Sequence, residues 1–395
     1  MGKKEKVYHI HISEIEGEVV MNSRERVLAA LSHKEPDKVP ISIGTTVVDA
    51  FTKFAKDDFE RFLNLEVTPH ILTHKVMGTV VTPDSISKMY ETDFATIRLK
   101  APRNYRQTVF EDGSYLDDYG ALMKPTEYYY DTVSRPLEGD ITIDDIRKAK
   151  APDPYAPGRT DGLREEVENL REKTDCAIAV DIMCGGPFEQ SLFLRGWEDF
   201  LCDLYTEPKR AEALLDFITE IDIGLWDVFL TAVGEYVDIV CQGDDLAMQD
   251  RALVPIDIYN KYIKKYHKRM YDFIRSKTKA RIFHHSCGSI YELIPGLIDV
   301  GIDILNPVQT SAKNMEPERL KKEFGKDLTF WGAIDTQKVL PYGTLQEIDN
   351  EVKRVIEVLG KDGGYVFAPC HNIQPLVPGE NIETMLKAAL KYRNY

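Results

Sequence analysis

No run of eighteen consecutive apolar residues occurs in this chain of 395 residues, so no membrane-spanning helix is expected. Met1 to Val7 is basic, but no apolar stretch with a small-residue cleavage site follows it. A secretory signal is therefore not expected. Cysteine is sparse. The six residues Cys176, Cys184, Cys202, Cys241, Cys287 and Cys370 are widely scattered. That density does not make a disulfide framework, and it fits reduced thiols in a cytoplasm. Positive charge is also short: 50 Lys and Arg stand against 65 Asp and Glu, a net charge of -15. A general nucleic-acid binder would need a basic stripe to neutralise phosphates. A glycine-rich nucleotide loop is missing as well, since Cys184-Gly-Gly-Pro187 has neither the spacing nor the lysine.

What is present is a rhythm. Residues 1–20 carry no strong element and read as an N-terminal extension to a single domain over 21–395. Asn22 and Glu25 form a capping box for a helix with Val27, Leu28 and Leu31 on its apolar stripe, closed by Pro36. Val39 to Ile43 reads as a strand. Phe94 to Arg98 and Gln107 to Phe110 look extended, with an Asp112-Gly113 turn before Tyr115. This reads as a small hairpin insertion over 94–120. From residue 177 onward, short apolar strands alternate with helices of about ten residues or more, the signature of parallel βαβ units.

An open sheet and a closed barrel share that rhythm. The ends of the strands discriminate between them. Asp244 and Asp245, His285 and Cys287, Asn306, Asp335, and Cys370 with His371 each follow a predicted strand. A barrel brings every strand end to one mouth, whereas an open sheet gathers ligands at its switch point. A (β/α)8 barrel is therefore expected.

His285-Ser286-Cys287 sets two metal-ligand types two residues apart. In extended backbone they point the same way. Zinc accepts mixed sulfur and nitrogen donors, and Cys370, at another strand end, can complete three ligands. The competing reading is a chance pair and buried hydrophobic thiols. His284 then faces the outer helices. Cys184 is a further thiol near the mouth. Asp244 and Asp245 are candidates for an acid or a substrate orienter, or else for helix caps. His371 is a candidate for binding substrate or steadying a ligand. Glu189, Gln190, Asn306, Gln309 and Asp335 are candidate substrate contacts, with Glu189 also a displaceable ligand. Tyr128 to Tyr130 and Trp197 read as packing or rim aromatics.

Several segments resemble the uroporphyrinogen decarboxylase superfamily, and within it the methyltransferase branch that works with corrinoid proteins. They are Asn22 to Leu31, Pro36 to Pro40, Gly186 to Gln190, Phe193 to Gly196, Gly243 to Asp245, His285 to Gly288, Gly332 to Asp335 and Cys370 to Pro375. The likeness covers residues 21–393 and implies a (β/α)8 barrel. It also implies zinc on His285, Cys287 and Cys370. The decarboxylase arm would carry arginines after Pro40 to grip a tetrapyrrole's carboxylates, yet Ile41 to Asp49 holds none. The implied activity is methyl transfer between a small methylated donor, methoxy or similar, and a separate corrinoid protein. Transfer from the corrinoid protein to a thiol, or metal-free decarboxylation of a small acid, are the alternatives. No Asp-x-His-x-x-Gly motif of a corrinoid-binding domain occurs here, so the corrinoid is expected on a partner. A homodimer would also fit the superfamily.

Overall fold

The computed structural model describes residues 13–15, 18–183 and 185–395. Cys184 and most of the expected N-terminal extension lie outside the described residues; within that extension Ser13–Ile15 pairs antiparallel with Glu18–Val20. The centre of the fold is a parallel sheet of seven strands. In chain order these are β1 (Phe94–Ile97), β2 (Ala177–Val180), β3 (Ile239–Gly243), β4 (Arg281–His285), β5 (Ile304–Asn306), β6 (Thr329–Ile334) and β7 (Tyr365–Pro369). Each pairs in parallel with its neighbour in sequence. The helices α1 (Pro187–Arg195), α2 (Pro208–Val233), α3 (Leu345–Leu359) and α4 (Gly379–Tyr392) are among those on its outer face.

Period-two alternation sorts the strand side chains into two buried layers. Phe94, Ala177, Ala179, Ile239, Cys241, Phe283, Ile304, Trp331, Val366 and Ala368 form the inner cluster. Ile178, Val180, Val240, Ile282, Leu305, Phe330 and Phe367 face the helices. Trp331 fills the interior, with its ring 4.6 Å from Phe94 and 5.2 Å from Phe283.

Two expectations need correction. The sheet is curled, but it is not a fully closed eight-stranded barrel. Val39 to Ile43 stands where an eighth strand would lie, and Ile41 makes only an isolated parallel bridge to Phe367 of β7. On its other side Ile41 exchanges hydrogen bonds with Asp93, just before β1. Pro40 supplies no N–H, so a regular ladder cannot run through this segment. Second, Phe94–Ile97 belongs to the central sheet and not to the hairpin. The antiparallel insertion is instead Tyr115–Leu116, Leu122–Pro125 and Tyr130–Ser134, and Val109 touches it only through a bridge to Tyr115. A short apolar run reads alike for a hairpin arm and a buried parallel strand; partners decided it. Another small sheet, Phe51–Thr52, Thr79–Val80 and Leu72–His74, also follows the 40–43 segment. No helix among the described residues is long and apolar enough to cross a membrane.

Candidate metal centre

His285 closes β4, and its ring leaves the sheet at the mouth. Its Nδ1 faces Asn306 Oδ1 at 2.5 Å, while Asn306 Nδ2 donates to the carbonyl of Trp331 at 3.0 Å. The amide is thereby oriented with its oxygen toward the imidazole. His285 must carry its proton on Nδ1, which leaves Nε2 with a free lone pair. Two residues on, Cys287 Sγ lies 3.5 Å from that Nε2. A tetrahedral site with bonds of about 2.0–2.3 Å has edges of about 3.5 Å. The pair therefore fits one ion.

His371 completes the cluster. Its ligand atom, with those of His285 and Cys287, forms a set lying within 4.8 Å of one another, and its ring centre is 5.8 Å from that of His285. His371 Nδ1 bonds Asn372 Oδ1 at 2.9 Å. Enclosure and the neighbouring His285 push its pKa down to about 4, so the imidazole is neutral at physiological pH, the form that binds metal. Cys370, expected as the third ligand, is not in the set. Its backbone N–H bonds Ile334, and its buried thiol donates to the Val308 carbonyl at 3.3 Å. Burial pushes that thiol up to about 12. Burial likewise raises the Cys287 thiol well above its ordinary range, with Asp245, Cys370 and Glu189 adding to it. A buried thiol and two imidazoles brought together are a donor set that a cation would complete.

The acidic residues divide sharply. Asp244 is fully buried. Its carboxylate accepts from the backbone N–H groups of Phe188 at 3.0 Å and Glu189 at 2.6 Å, and meets His267 Nε2 at 2.6 Å. It is thus the cap of α1, whose own first residues offer no side-chain cap, and not a free acid. A Cβ on Gly186 would stand 2.3 Å from Asp244, so glycine there permits the approach. Asp245 is different. One oxygen accepts the Cys287 N–H at 2.7 Å and lies 3.7 Å from His285 Nε2, with the side chain still about a third exposed (32%). Glu189 sits beside it, near the Asp245 N–H at 3.5 Å. Burial, then Asp245 and Asp244, raise the Glu189 pKa well above normal.

The other expected substrate contacts are largely committed elsewhere. Asn306 has both ends of its amide bonded and holds His285. Gln309 accepts from Gly288 N–H and donates to Gln249. Asp335 accepts from the backbone of Gln337 and Lys338. Gln190 is half-buried in the first turns of α1. A cavity of about 300 Å³ opens at the centre, lined by Cys287, Cys370, His371, Gln309, Asp335 and Gln374 among others. His284 faces the outer layer as expected, bonded to Tyr271 OH at 2.6 Å.

Residues 127–392 match the family described as uroporphyrinogen decarboxylase (URO-D). The chain belongs to that family. Within it, a methylated-thiol–coenzyme M methyltransferase of Methanosarcina mazei is 21% identical over 225 residues, spanning 56% of this chain and 58% of the relative. The methylcobamide:CoM methyltransferase MtaA of Methanosarcina barkeri is 21% identical over 93% of this chain and 98% of its own. Uroporphyrinogen decarboxylases align at similar identity over a similar stretch. A solved methyltransferase from Methanosarcina mazei superposes with a TM-score of 0.64 at 20% identity, covering 94% of this chain and 99% of that one. That likeness establishes a shared fold across nearly the whole chain. Sequence reasoning gave Asn372 and Gln374 no role of their own and read Tyr129 as a packing or rim aromatic, whereas the three form a hydrogen-bonded chain to His371. Only the adjacency of Asn372 to His371 hinted at any of them.

Proposed function

We propose that this protein is a zinc-dependent methyltransferase that moves a methyl group from a separate corrinoid protein to a small thiol. The observation that carries the reading is the convergence of His285, Cys287 and His371 at a cavity wall. The names of two relatives, one with a methylated thiol and one with a methylcobamide and CoM, favour the thiol direction over a methoxy donor. Zinc bound at such a cluster supplies a Lewis acid that lowers the pKa of a nearby thiol.

The chain's own residues supply the rest. The methyl–cobalt bond breaks with its electron pair left on cobalt, and the acceptor sulfur forms the new bond to carbon with its lone pair. The thiol proton needs an acceptor at the mouth. Asp245 is placed for that, partly exposed and bonded by one oxygen to the Cys287 N–H. Glu189, whose pKa is raised by burial and by the neighbouring Asp245 and Asp244, stands beside Asp245 to meet the acceptor's polar groups. Asn306 holds the lone pair of His285 toward the site.

The test is anaerobic. Methylcobalamin is mixed with the protein and a panel of small thiols, and the loss of methyl–cobalt absorption is followed. Turnover should disappear in chelator and return with zinc. Full activity in chelator, or unchanged methylcobalamin with every thiol while Co(I) is methylated by methoxy compounds, would overturn the proposal.

A further inference from the structure

We propose that the thiol accepted at this mouth carries a protonated amine and no acid group, and that Asp335 selects it. This rests on the reading of a small thiol as the methyl acceptor and deepens it by naming the chemistry of the acceptor's far end.

The cavity of about 300 Å³ joins the cluster, through Cys287 and His371, to a wall of neutral polar side chains. Four glutamines, a serine and a threonine line it, with one acid, Asp335, and with no lysine or arginine among the described residues. The cations next to that lining in sequence, Arg251, Lys313 and Lys338, are exposed and outside it. Other cations of the strand-end loops are engaged. Arg98, directly after β1, gives its Nε to Asp181 at 2.8 Å, and Lys75 Nζ lies 3.7 Å from the centre of the Tyr115 ring. Beside Cys287 stands Asp245, with Glu189 next to it. A substrate anion entering here would shed water and find no guanidinium or ammonium in return. Sulfonate, carboxylate and phosphate groups are thereby disfavoured.

Asp335 offers the opposite. It follows β6 directly and is only 6% exposed. Its Oδ1 accepts both the Gln337 and the Lys338 N–H, at 2.7 and 3.2 Å. Its Oδ2 has no hydrogen-bond partner among the described residues. A buried carboxylate oxygen without a donor is costly unless a ligand supplies one. A protonated amine supplies both the donor and the charge. Thr336 lines the same cavity, and its hydroxyl can accept a second N–H. Sulfur at the cluster and nitrogen at Asp335 fix the two ends of a short acceptor, as a few convergent polar groups do in small-molecule sites. Selection is then attractive toward the amine and repulsive toward an acid.

Cysteamine, mercaptoethanol and mercaptopropionate are short thiols with a cationic, a neutral and an anionic end. With the zinc-loaded protein and methylcobalamin at neutral pH, kcat/KM should fall in that order. Cysteamine should lead mercaptopropionate by at least about 10-fold, the scale of one charge-assisted hydrogen bond. Cysteamine is also the more acidic thiol, so the lead is compared between the parent protein and Asp335→Asn. That variant keeps an oxygen for the two backbone N–H groups and removes the charge. It should raise KM for cysteamine more than it lowers kcat, and cut the lead by roughly 10-fold. A lead is a ratio within one protein, so it does not depend on how much of the variant folds. Anaerobic calorimetric titration with the same two thiols, without methylcobalamin, reads the preference as a ratio of Kd. Mercaptopropionate used as well as cysteamine, or a lead that survives Asp335→Asn, would overturn this assignment and leave the methyl-transfer reading standing. A Kd preference that depends on Asp335, with no thiol methylated, would keep the assignment and overturn that reading. Failure to bind either thiol would overturn both.

Discussion

The two imidazoles at the centre are held by opposite kinds of support. His285 is anchored inward. Its partner Asn306 is fully buried at the end of β5, and that amide is itself fastened to the backbone of β6 at Trp331. Every link lies on a strand of the central sheet. His371 is anchored outward, through loop residues Asn372 and Gln374 to a hydroxyl on an inserted hairpin. Rigid elements give precise placement, whereas loops are where local opening concentrates. One half of the site is thus fixed with the fold. The other half depends on where the hairpin holds Tyr129.

The strongest way to break this contrast is to loosen the inner half. Trp331→Ala removes the ring wedged between Phe94 and Phe283 and should cost about 3–5 kcal/mol of stability by thermal or denaturant unfolding. A loss below about 1 kcal/mol would mean that the interior tolerates collapse and is no rigid anchor. Asn306→Ala comes next. It strands the Nδ1–H of His285 and the Trp331 carbonyl, so unfolding should reveal a loss of about 2–3 kcal/mol. Zinc affinity should fall roughly 10–100-fold.

The inner half also carries a titration opposite in sign to that of His371, whose lowered pKa makes stability rise with pH. Asp49 is fully buried among Ser42, Thr46 and the Trp331 indole. Burial raises its pKa from 3.8 to about 6. A carboxyl held above its unfolded value contributes stability that is complete below about pH 4. That contribution is lost as pH rises through about 6. Relative to Asp49→Asn, the parent protein should therefore lose about 2–3 kcal/mol between pH 4 and 6.5. A pH-independent difference between the two would refute this.

Much of this was legible beforehand, for identifiable reasons. The strand–helix alternation from residue 177 follows from short β-branched runs between amphipathic helices. His285 and Cys287 could be paired because a period of two is a local property. Closure of the barrel could not be read, since Val39 to Ile43 looks like a strand until the missing N–H of Pro40 is weighed against two neighbours. Asp244 and Asp245 were indistinguishable as adjacent acids. Only the approach of α1, through Gly186, makes one a cap and leaves the other at the mouth. Cys370 and His371 both line the cavity, and the bend after β7 that brings the imidazole into the cluster carries no composition signal. Tyr129 and Gln374 are 245 positions apart, and nothing local ties them.

The smallest effect separates the two halves most cleanly. Tyr129→Phe deletes one hydroxyl at a half-buried hairpin tip, so the folding stability of the metal-free protein should drop by no more than about 1 kcal/mol. Asn306 and Tyr129 share no hydrogen-bond partner. In the metal-free protein their losses should then add to within about 0.5 kcal/mol in the double variant. With zinc present the two become coupled, because each variant weakens a different ligand of one ion. Affinity losses that still add, with no coupling beyond error, would show that His285 and His371 do not meet on a shared metal, whatever their separation in the free protein.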